Sequence, residues 1–251
     1  MSTEATNPRG VRLWGVVPAA GRGSRMGAAL PKQYLSLAGR TVAEHTLTRL
    51  LAFARLARVV VAVAPDDEYF ARLPLANDPR LRTCHGGAER CDSVLNALDV
   101  LAGEARADDF VLVHDVARPC VRLSDIARLV DAALADPVGA ILAQPATDTV
   151  KQAGADGRIA ATPDRSRIWL AATPQMIRYG LLREALQAAR RDGVTVTDEA
   201  QAVERRGHLP QLVECARDNL KITRPEDLAL AAFWLGRQQE AALDARREDM
   251  T

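Results

Sequence analysis

At 251 residues with 48% hydrophobic side chains, the chain is long enough for a sizeable core, and chains up to roughly 250 residues remain single-cored. Its 33 basic and 32 acidic side chains leave a net charge of +1, so no global field recruits nucleic acid or an anionic membrane. No stretch approaches the ~18 consecutive apolar residues of a membrane span, Met1 to Gly10 lacks an apolar signal core, and Cys84, Cys91, Cys120 and Cys215 have no zinc spacing. The expectation is one soluble, cytoplasmic domain over residues 1–251 with reduced thiols.

Leu13 to Val17 reads as a short buried strand. The loop leaving it is almost free of bulky side chains: Pro18, Ala19, Ala20, Gly21, Gly23 and Gly27 let a backbone approach a ligand closely. Consecutive amides in such a loop form an anion nest. Arg25 and Lys32 bring a forked cation and a point charge to the same place. A nest with two cations fits a triphosphate better than a sugar or a dinucleotide. The dinucleotide fingerprint is unmatched, because the third glycine falls one place late and Arg25 intrudes; a Walker A ending is also missing. Lys32, Lys151 and Lys221 are the only lysines in an arginine-rich chain, which marks them as positions where a compact ammonium is wanted.

Thr41 to Phe53 predicts a helix capped by Thr41, and Val59 to Ala64 a buried parallel strand. A short helix is expected over Asp66 to Leu73 and a strand over Leu81 to Cys84. Gly86-Gly87 then leads through Arg90 and Ser93 into a helix ending at Leu101, a second place where backbone amides can face a ligand. Phe110 to Val113 is a strand ending in His114-Asp115, and ligands of open parallel sheets sit beyond such ends. Asp115 can bind ribose hydroxyls, help hold a hydrated Mg²⁺, or pair with Arg118 across the turn; His114 reads as structural. Leu123 to Leu134 is an amphipathic helix and Gly139 to Ala143 a strand.

Between Gln144 and Arg167 large apolar residues become scarce. Residues 145–151 and 158–162 read as the arms of a hairpin around Gly154 to Gly157. A two-stranded ribbon this poor in apolar side chains cannot bury itself, so it should protrude and pack against something else, most simply a second copy of the chain. Tyr179 to Arg191 predicts a helix stopped by Gly193, and Asp198 with Gln201 a cap for the next. Leu209 to Val213 and Asp218 to Thr223 are expected strands. Thr223 and Glu226 read as a capping box for a final helix through Leu235, and the charged tail beyond Gln238 as frayed.

Several ordered motifs carry a family resemblance. Val17-Pro18-Ala19-Ala20-Gly21-x-Gly23-x-Arg25-Met26-x4-Pro31-Lys32-Gln33-Tyr34 resembles the signature loop of sugar-nucleotide pyrophosphorylases and cytidylyltransferases. With Gly86-Gly87-x-x-Arg90-x-x-Ser93-Val94, Val113-His114-Asp115-x-Ala117-Arg118-Pro119, Thr173-Pro174-Gln175 and Asn219-x-Lys221-x-Thr223-x-Pro225-Glu226-Asp227-Leu228, it is similar to the methylerythritol-phosphate cytidylyltransferases from Leu13 to Leu235. Cys91 and Val116 are mild departures that remove no charge.

The resemblance implies an α/β fold, a Rossmann-like three-layer sandwich with a mostly parallel central sheet and a protruding β-hairpin arm over 144–167 that makes a homodimer. It implies transfer of a cytidylyl group from CTP to a polyol phosphate, with Mg²⁺ held largely by the CTP phosphates. Pro18, Ala19, Ala20, Gly21, Gly23, Gly86, Ser93 and Asp115 would bind the nucleotide. Arg25 and Lys32 would stabilise the transition state; Thr149, Arg165, Thr197 and Lys221 would address the acceptor, Arg165 and Lys221 binding and aiming its phosphate. Two alternatives stand beside this reading: a ribitol-5-phosphate cytidylyltransferase, and a non-catalytic nucleotide-binding regulator on the same scaffold.

Overall fold

The computed structural model describes residues 10–21 and 30–248, with only the backbone for 245–248. Arg22 to Ala29, and with them the expected site residues Gly23 and Arg25, lie outside the described residues.

In chain order the first half contains β1 (Leu13–Pro18), β2 (Ser36–Leu37), β3 (Arg40–Thr41), α1 (Val42–Ala52), β4 (Leu56–Val63), β5 (Leu81–His85), α2 (Arg90–Leu101) and β6 (Phe110–Val113). The second half adds α3 (Leu123–Ala135), β7 (Gly139–Pro145), β8 (Gln152–Ala153), β9 (Ile159–Ala161), β10 (Trp169–Arg178), α4 (Tyr179–Arg191), α5 (Glu199–Glu204), β11 (Gln211–Glu214) and α6 (Glu226–Glu248). Seven strands form one sheet in the order β11-β7-β10-β6-β1-β4-β5. Every pairing in it is parallel except those of β10, which runs antiparallel to both neighbours.

Alternation along the strands divides the core into two layers. Leu13 and Val17 of β1, Val59 and Val61 of β4, and Phe110 and Leu112 of β6 face α1 and α3. Trp14, Val16, Val60, Val111 and Val113 face the opposite way, onto α2, α4 and α5. A period of two in near-continuous apolar runs is what a sheet covered on both faces demands. A smaller cluster of Leu37, Val42, Cys120, Ile222, Ala231 and Leu235 seats α6 at the edge. The fold is the expected three-layer α/β sandwich.

The functional consequence is the switch between β1 and β6. From β1 the chain moves outward to β4 and β5, then returns to place β6 on the other side. The turns after β1 and β6 therefore diverge and open a crevice at their carboxyl ends.

Several local expectations change. Asp66 to Leu73 holds only a single 3-10 turn, Phe70–Arg72; Asp67 Oδ1 accepts the amides of Tyr69 and Phe70 and caps the segment before a longer helix can form. The expected ribbon is shorter and its first arm lies elsewhere: residues 146–151 form no strand, and the pairing is between β8 at Gln152–Ala153 and β9 at Ile159–Ala161, all of whose residues are exposed. Asp218 to Thr223 is not a strand: Ile222 N–H donates to Ala117 O, while buried Asn219 spends its side chain on Thr173 O. Ile222 is buried and Lys221 exposed all the same. The cap of α6 is Asp227 rather than Glu226, its Oδ2 accepting from the amides of Thr223 and Arg224, and the helix continues past Leu235 to Glu248. The strand expected from Leu209 to Val213 spans Gln211–Glu214. β10 has no counterpart in the sequence reading; a register shift between Ala171 and Gln175 places Pro174 where no ladder hydrogen bond is asked of it.

Candidate active site

The crevice beyond β1 and β6 is a cleft of about 340 Å³ whose lining includes Pro18 to Gly21, Lys32, Arg90, Ser93, Asp115 and Lys221. Its first wall is the loop leaving β1. Ala19 N–H donates to Ala62 O at 2.8 Å, which fixes the loop to β4. The buried amide of Gln33 donates to Ala19 O at 2.7 Å, so the far end of the loop is sewn back to its start. Lys32, one residue earlier, donates from Nζ to Ile222 O at 3.0 Å and so faces the segment carrying Lys221.

The opposite wall is the turn before α2. Gly86 packs so closely on the loop that a Cβ there would lie 2.2 Å from Ala20 Cβ and 2.9 Å from Ser93 Oγ; only glycine fits. Gly86 thus shapes the cleft from behind its surface. Ser93 Oγ accepts the Gly87 amide at 3.0 Å and donates to Glu89 O at 3.2 Å, locking the turn to the first turn of α2.

Asp115 forms the floor, directly after β6. Its Oδ1 accepts from Arg90 Nε at 2.9 Å and its Oδ2 pairs with Lys221 Nζ at 2.7 Å. Burial alone would raise its pKa, but the charges of Arg90 and Lys221 outweigh it and hold the carboxyl well below the usual range. The guanidinium of Arg90 continues to Glu199, with Nη1 at 2.6 Å and Nη2 at 3.0 Å from its two oxygens. Burial opposes charge on Arg90, yet Glu199 and Asp115 beside it push its pKa up. The result is an alternating row: Glu199, Arg90, Asp115, Lys221.

A turn pair between the Asp115 and Arg118 side chains is not formed. Arg118 donates its amide to Asp115 O and its guanidinium to Asn219 O instead. His114 is structural, as expected. It is fully buried, and burial pushes its pKa down to about 4, so the ring is neutral. Nε2 meets Arg118 O at 3.0 Å and Nδ1 meets Thr173 Oγ1 at 3.1 Å, while Thr173 Oγ1 accepts the Asp115 amide at 3.0 Å. One assignment satisfies all three: Nε2–H donates to the carbonyl and the threonine hydroxyl donates to Nδ1. The histidine thereby aims the backbone of Asp115.

Of the expected site residues, Pro18, Ala19, Ala20, Gly21, Lys32, Ser93, Asp115 and Lys221 line one cleft. Thr149, Arg165 and Thr197 are exposed and are not among its described lining residues. Arg165 donates to Thr147 O at 2.7 Å at the base of the arm, and the Thr197 amide donates to Gln201 Oε1 ahead of α5. Sequence reasoning passed over Glu199, Gln33, Thr173 and Asn219. Gln33 and Asn219 stand inside recognised motifs and could have been singled out; Glu199 looked like an ordinary acidic residue in a first helical turn. Among the described residues no group of three or more His, Cys, Asp or Glu side chains is placed to hold a metal ion.

Comparison with known proteins identifies the family. The family model of 2-C-methyl-D-erythritol 4-phosphate cytidylyltransferase matches residues 13–237. The enzyme of that name from Vibrio cholerae is 55% identical over 225 residues, covering 90% of this chain and 97% of its own length. That from Photobacterium profundum is 53% identical over 232 residues, covering 89% and 96%. The crystal structure of the Francisella tularensis 2-C-methyl-D-erythritol 4-phosphate cytidylyltransferase superposes with a TM-score of 0.77 at 36% identity over 89% of this chain and 99% of that one. The Thermus thermophilus enzyme gives 0.72 at 35% identity, covering 88% and 98%. With the Pro18–Gly21 loop, Lys32, Asp115 and Lys221 all lying inside the matched span, the chain belongs to the 2-C-methyl-D-erythritol 4-phosphate cytidylyltransferase family.

Proposed function

We propose that the cleft between β1 and β6 binds CTP along the Pro18–Gly21 loop and brings the phosphate of a polyol phosphate against it. The enzyme joins CTP and 2-C-methyl-D-erythritol 4-phosphate to give CDP-methylerythritol and pyrophosphate, a step of non-mevalonate isoprenoid precursor synthesis. The observation that carries the reading of the site is that Lys32, Arg90 and Lys221 line one cleft with Asp115, whose buried carboxylate pairs with both Arg90 and Lys221.

In the transfer, an oxygen of the acceptor phosphate forms a bond to the α-phosphorus of CTP while the bond from that phosphorus to the α,β-bridging oxygen breaks. The electron pair leaves with pyrophosphate. The attacking oxygen is already anionic, so no side chain has to remove a proton. What the protein supplies is position and charge. Lys32 and Arg25 address the triphosphate, and Arg25 belongs to the loop outside the described residues. Lys221 binds the acceptor phosphate, held over the cleft by Asp115. Gly86 and Ser93 shape the nucleoside side.

The residues fit a metal held chiefly by the nucleotide. Asp115 and Glu89 are the carboxylates among the described lining residues, both oxygens of Asp115 already face cations, and Mg²⁺ commonly takes one or two carboxylates plus substrate phosphates. When bound, Mg²⁺ would neutralise charge on the phosphate oxygens.

Thr149, Arg165 and Thr197 complete the acceptor side, Thr149 and Arg165 from the 144–167 arm of a second copy in a homodimer. The exposure of Ile159, at 66%, and of Leu170 just beyond the base of the arm, at 57%, supports a partner for this end of the molecule. No helix among the described residues is long and apolar enough to cross a membrane, which is compatible with a cytoplasmic enzyme. The test is pyrophosphate release with CTP and Mg²⁺, comparing 2-C-methyl-D-erythritol 4-phosphate with ribitol 5-phosphate. Release with the first alone is expected. Release with ribitol 5-phosphate alone would overturn the acceptor, and CTP binding without release to either would leave a nucleotide-binding regulator.

A further inference from the structure

Glu199 stands outside the cleft lining and touches neither expected substrate position, yet it is the most buried carboxylate in contact with the site, its side chain 1% exposed. A buried ion pair is by itself a weak stabiliser, because desolvation consumes most of the Coulombic gain. Its geometry is more informative. Both carboxylate oxygens are spent on Arg90, one on each terminal nitrogen, while Arg90 Nε is turned to Asp115. That leaves the guanidinium one orientation.

The Glu199 backbone is equally fixed. It opens α5, whose first turn is pinned to β10: Gln175 Oε1 accepts the Ala200 amide at 2.9 Å and Gln175 Nε2 donates to Asp198 Oδ2 at 3.0 Å. Arg90 is the long, rotamer-rich member of the group. Deprived of its bidentate partner it gains freedom to swing into the cleft, and Asp115 then holds Lys221 without its opposing anchor. Glu199 also lies two residues from Thr197, so one rigid turn carries an acceptor-side residue and the origin of the charge row.

We propose that Glu199 is a positioning residue for the acceptor phosphate, acting through Arg90 and Asp115 to fix the ammonium of Lys221. The inference rests on the proposed role of the cleft and names a residue that controls it from outside.

The experiment is steady-state kinetics of Glu199→Gln, which keeps the shape and removes the charge, with CTP affinity measured separately by titration. We expect kcat/KM for methylerythritol phosphate to fall about 10- to 100-fold, the scale of a small displacement of reacting groups, with the dissociation constant of CTP within about threefold of wild type. Because the effect runs through Lys221, adding Glu199→Gln to Lys221→Ala should cost less than about threefold more. Glu199→Asp keeps the charge and should recover part of the loss; it also replaces Glu199→Gln in the cycle if that variant does not fold.

A melting-temperature drop with unchanged kcat/KM, or a full multiplicative loss in the double variant, would overturn the positioning role and leave Glu199 as packing alone. Those results require an active wild type. If the wild-type protein binds CTP but releases no pyrophosphate with methylerythritol phosphate, the functional reading fails first and the inference falls with it.

Discussion

The cleft and the arm are two halves of one proposed site, built by opposite means. In the cleft the charges of Glu199, Arg90, Asp115 and Lys221 are paired within the chain: Asp115 is gripped from both oxygens, Arg90 is spread over two carboxylates, and the loop after β1 is closed by Gln33. In the arm the paired residues of β8 and β9 are all exposed. Its described bonds are local ones, such as Lys151 Nζ to Thr162 Oγ1 and Arg165 Nη1 to Thr147 O. A cleft of this kind is pre-organised before any ligand arrives, which is where electrostatic catalysis gains most. An arm of this kind gains its geometry only from what it packs against. On the proposed reading the nucleotide is held within one chain, whereas the acceptor side calls for a second.

The sharpest way to break the contrast is Lys32→Ala. If the cleft holds the triphosphate, kcat should fall about 10²–10³-fold with the fold intact by circular dichroism; retention of more than about a tenth of wild-type kcat would move the phosphate site elsewhere. Next comes a mixing test of the arm. Lys32→Ala and Arg165→Ala chains, each nearly inactive alone, should recover activity when unfolded and refolded together, because a mixed dimer carries one complete site. Random mixing sets the ceiling at about a quarter of wild type. No recovery would mean that Arg165 serves its own chain.

A third prediction bears on pre-organisation alone. His114 is buried and neutral, with its pKa lowered to about 4, so between that value and the ordinary ~6.5 the unfolded chain binds more protons than the folded one. Stability therefore rises with pH across this window and is lost on acidification from about 6.5 towards 4, by about 3 kcal/mol. Asp115 acts in a lower window: its depressed pKa gives stability that is present above the unfolded carboxylate range and lost beneath it. Denaturant titrations from pH 7 to 4.5 should show the slope in wild type and a flatter profile in His114→Gln. An unchanged slope in the variant would assign the acid sensitivity to other groups.

The two halves also differed in how much could be read from the sequence. The cleft was legible because its parts are local. A strand followed by small residues, a Gly-Gly turn before a helix and an Asp closing an apolar run each announce a geometry within a few residues. Lys221 was marked by the rarity of lysine in the chain and by its motif, and it lines the cleft even though the expected strand does not form. Glu199 was illegible because its role depends on a partner 109 residues away, and a carboxylate in a first helical turn needs no partner to look ordinary. β10 was missed for a related reason: Pro174 at its middle argues against a strand until the register shift is seen. In the arm, composition said that it protrudes, but not that only β8 and β9 would pair.

The smallest expected effect lies at the tip of that arm. Ile159 is 66% exposed, so Ile159→Asp gives up almost no burial within the chain and should alter its intrinsic stability by under about 0.5 kcal/mol. A subunit contact changes this in a diagnostic way, since stability borrowed from association depends on protein concentration. The wild-type unfolding midpoint should rise with concentration, whereas that of Ile159→Asp should not, and sedimentation should find the variant shifted towards monomer. If both midpoints are independent of concentration and both sediment alike, the arm is not the subunit contact. Arg165 and Thr149 would then have to reach the cleft of their own chain, and the division of the site between two copies would be lost.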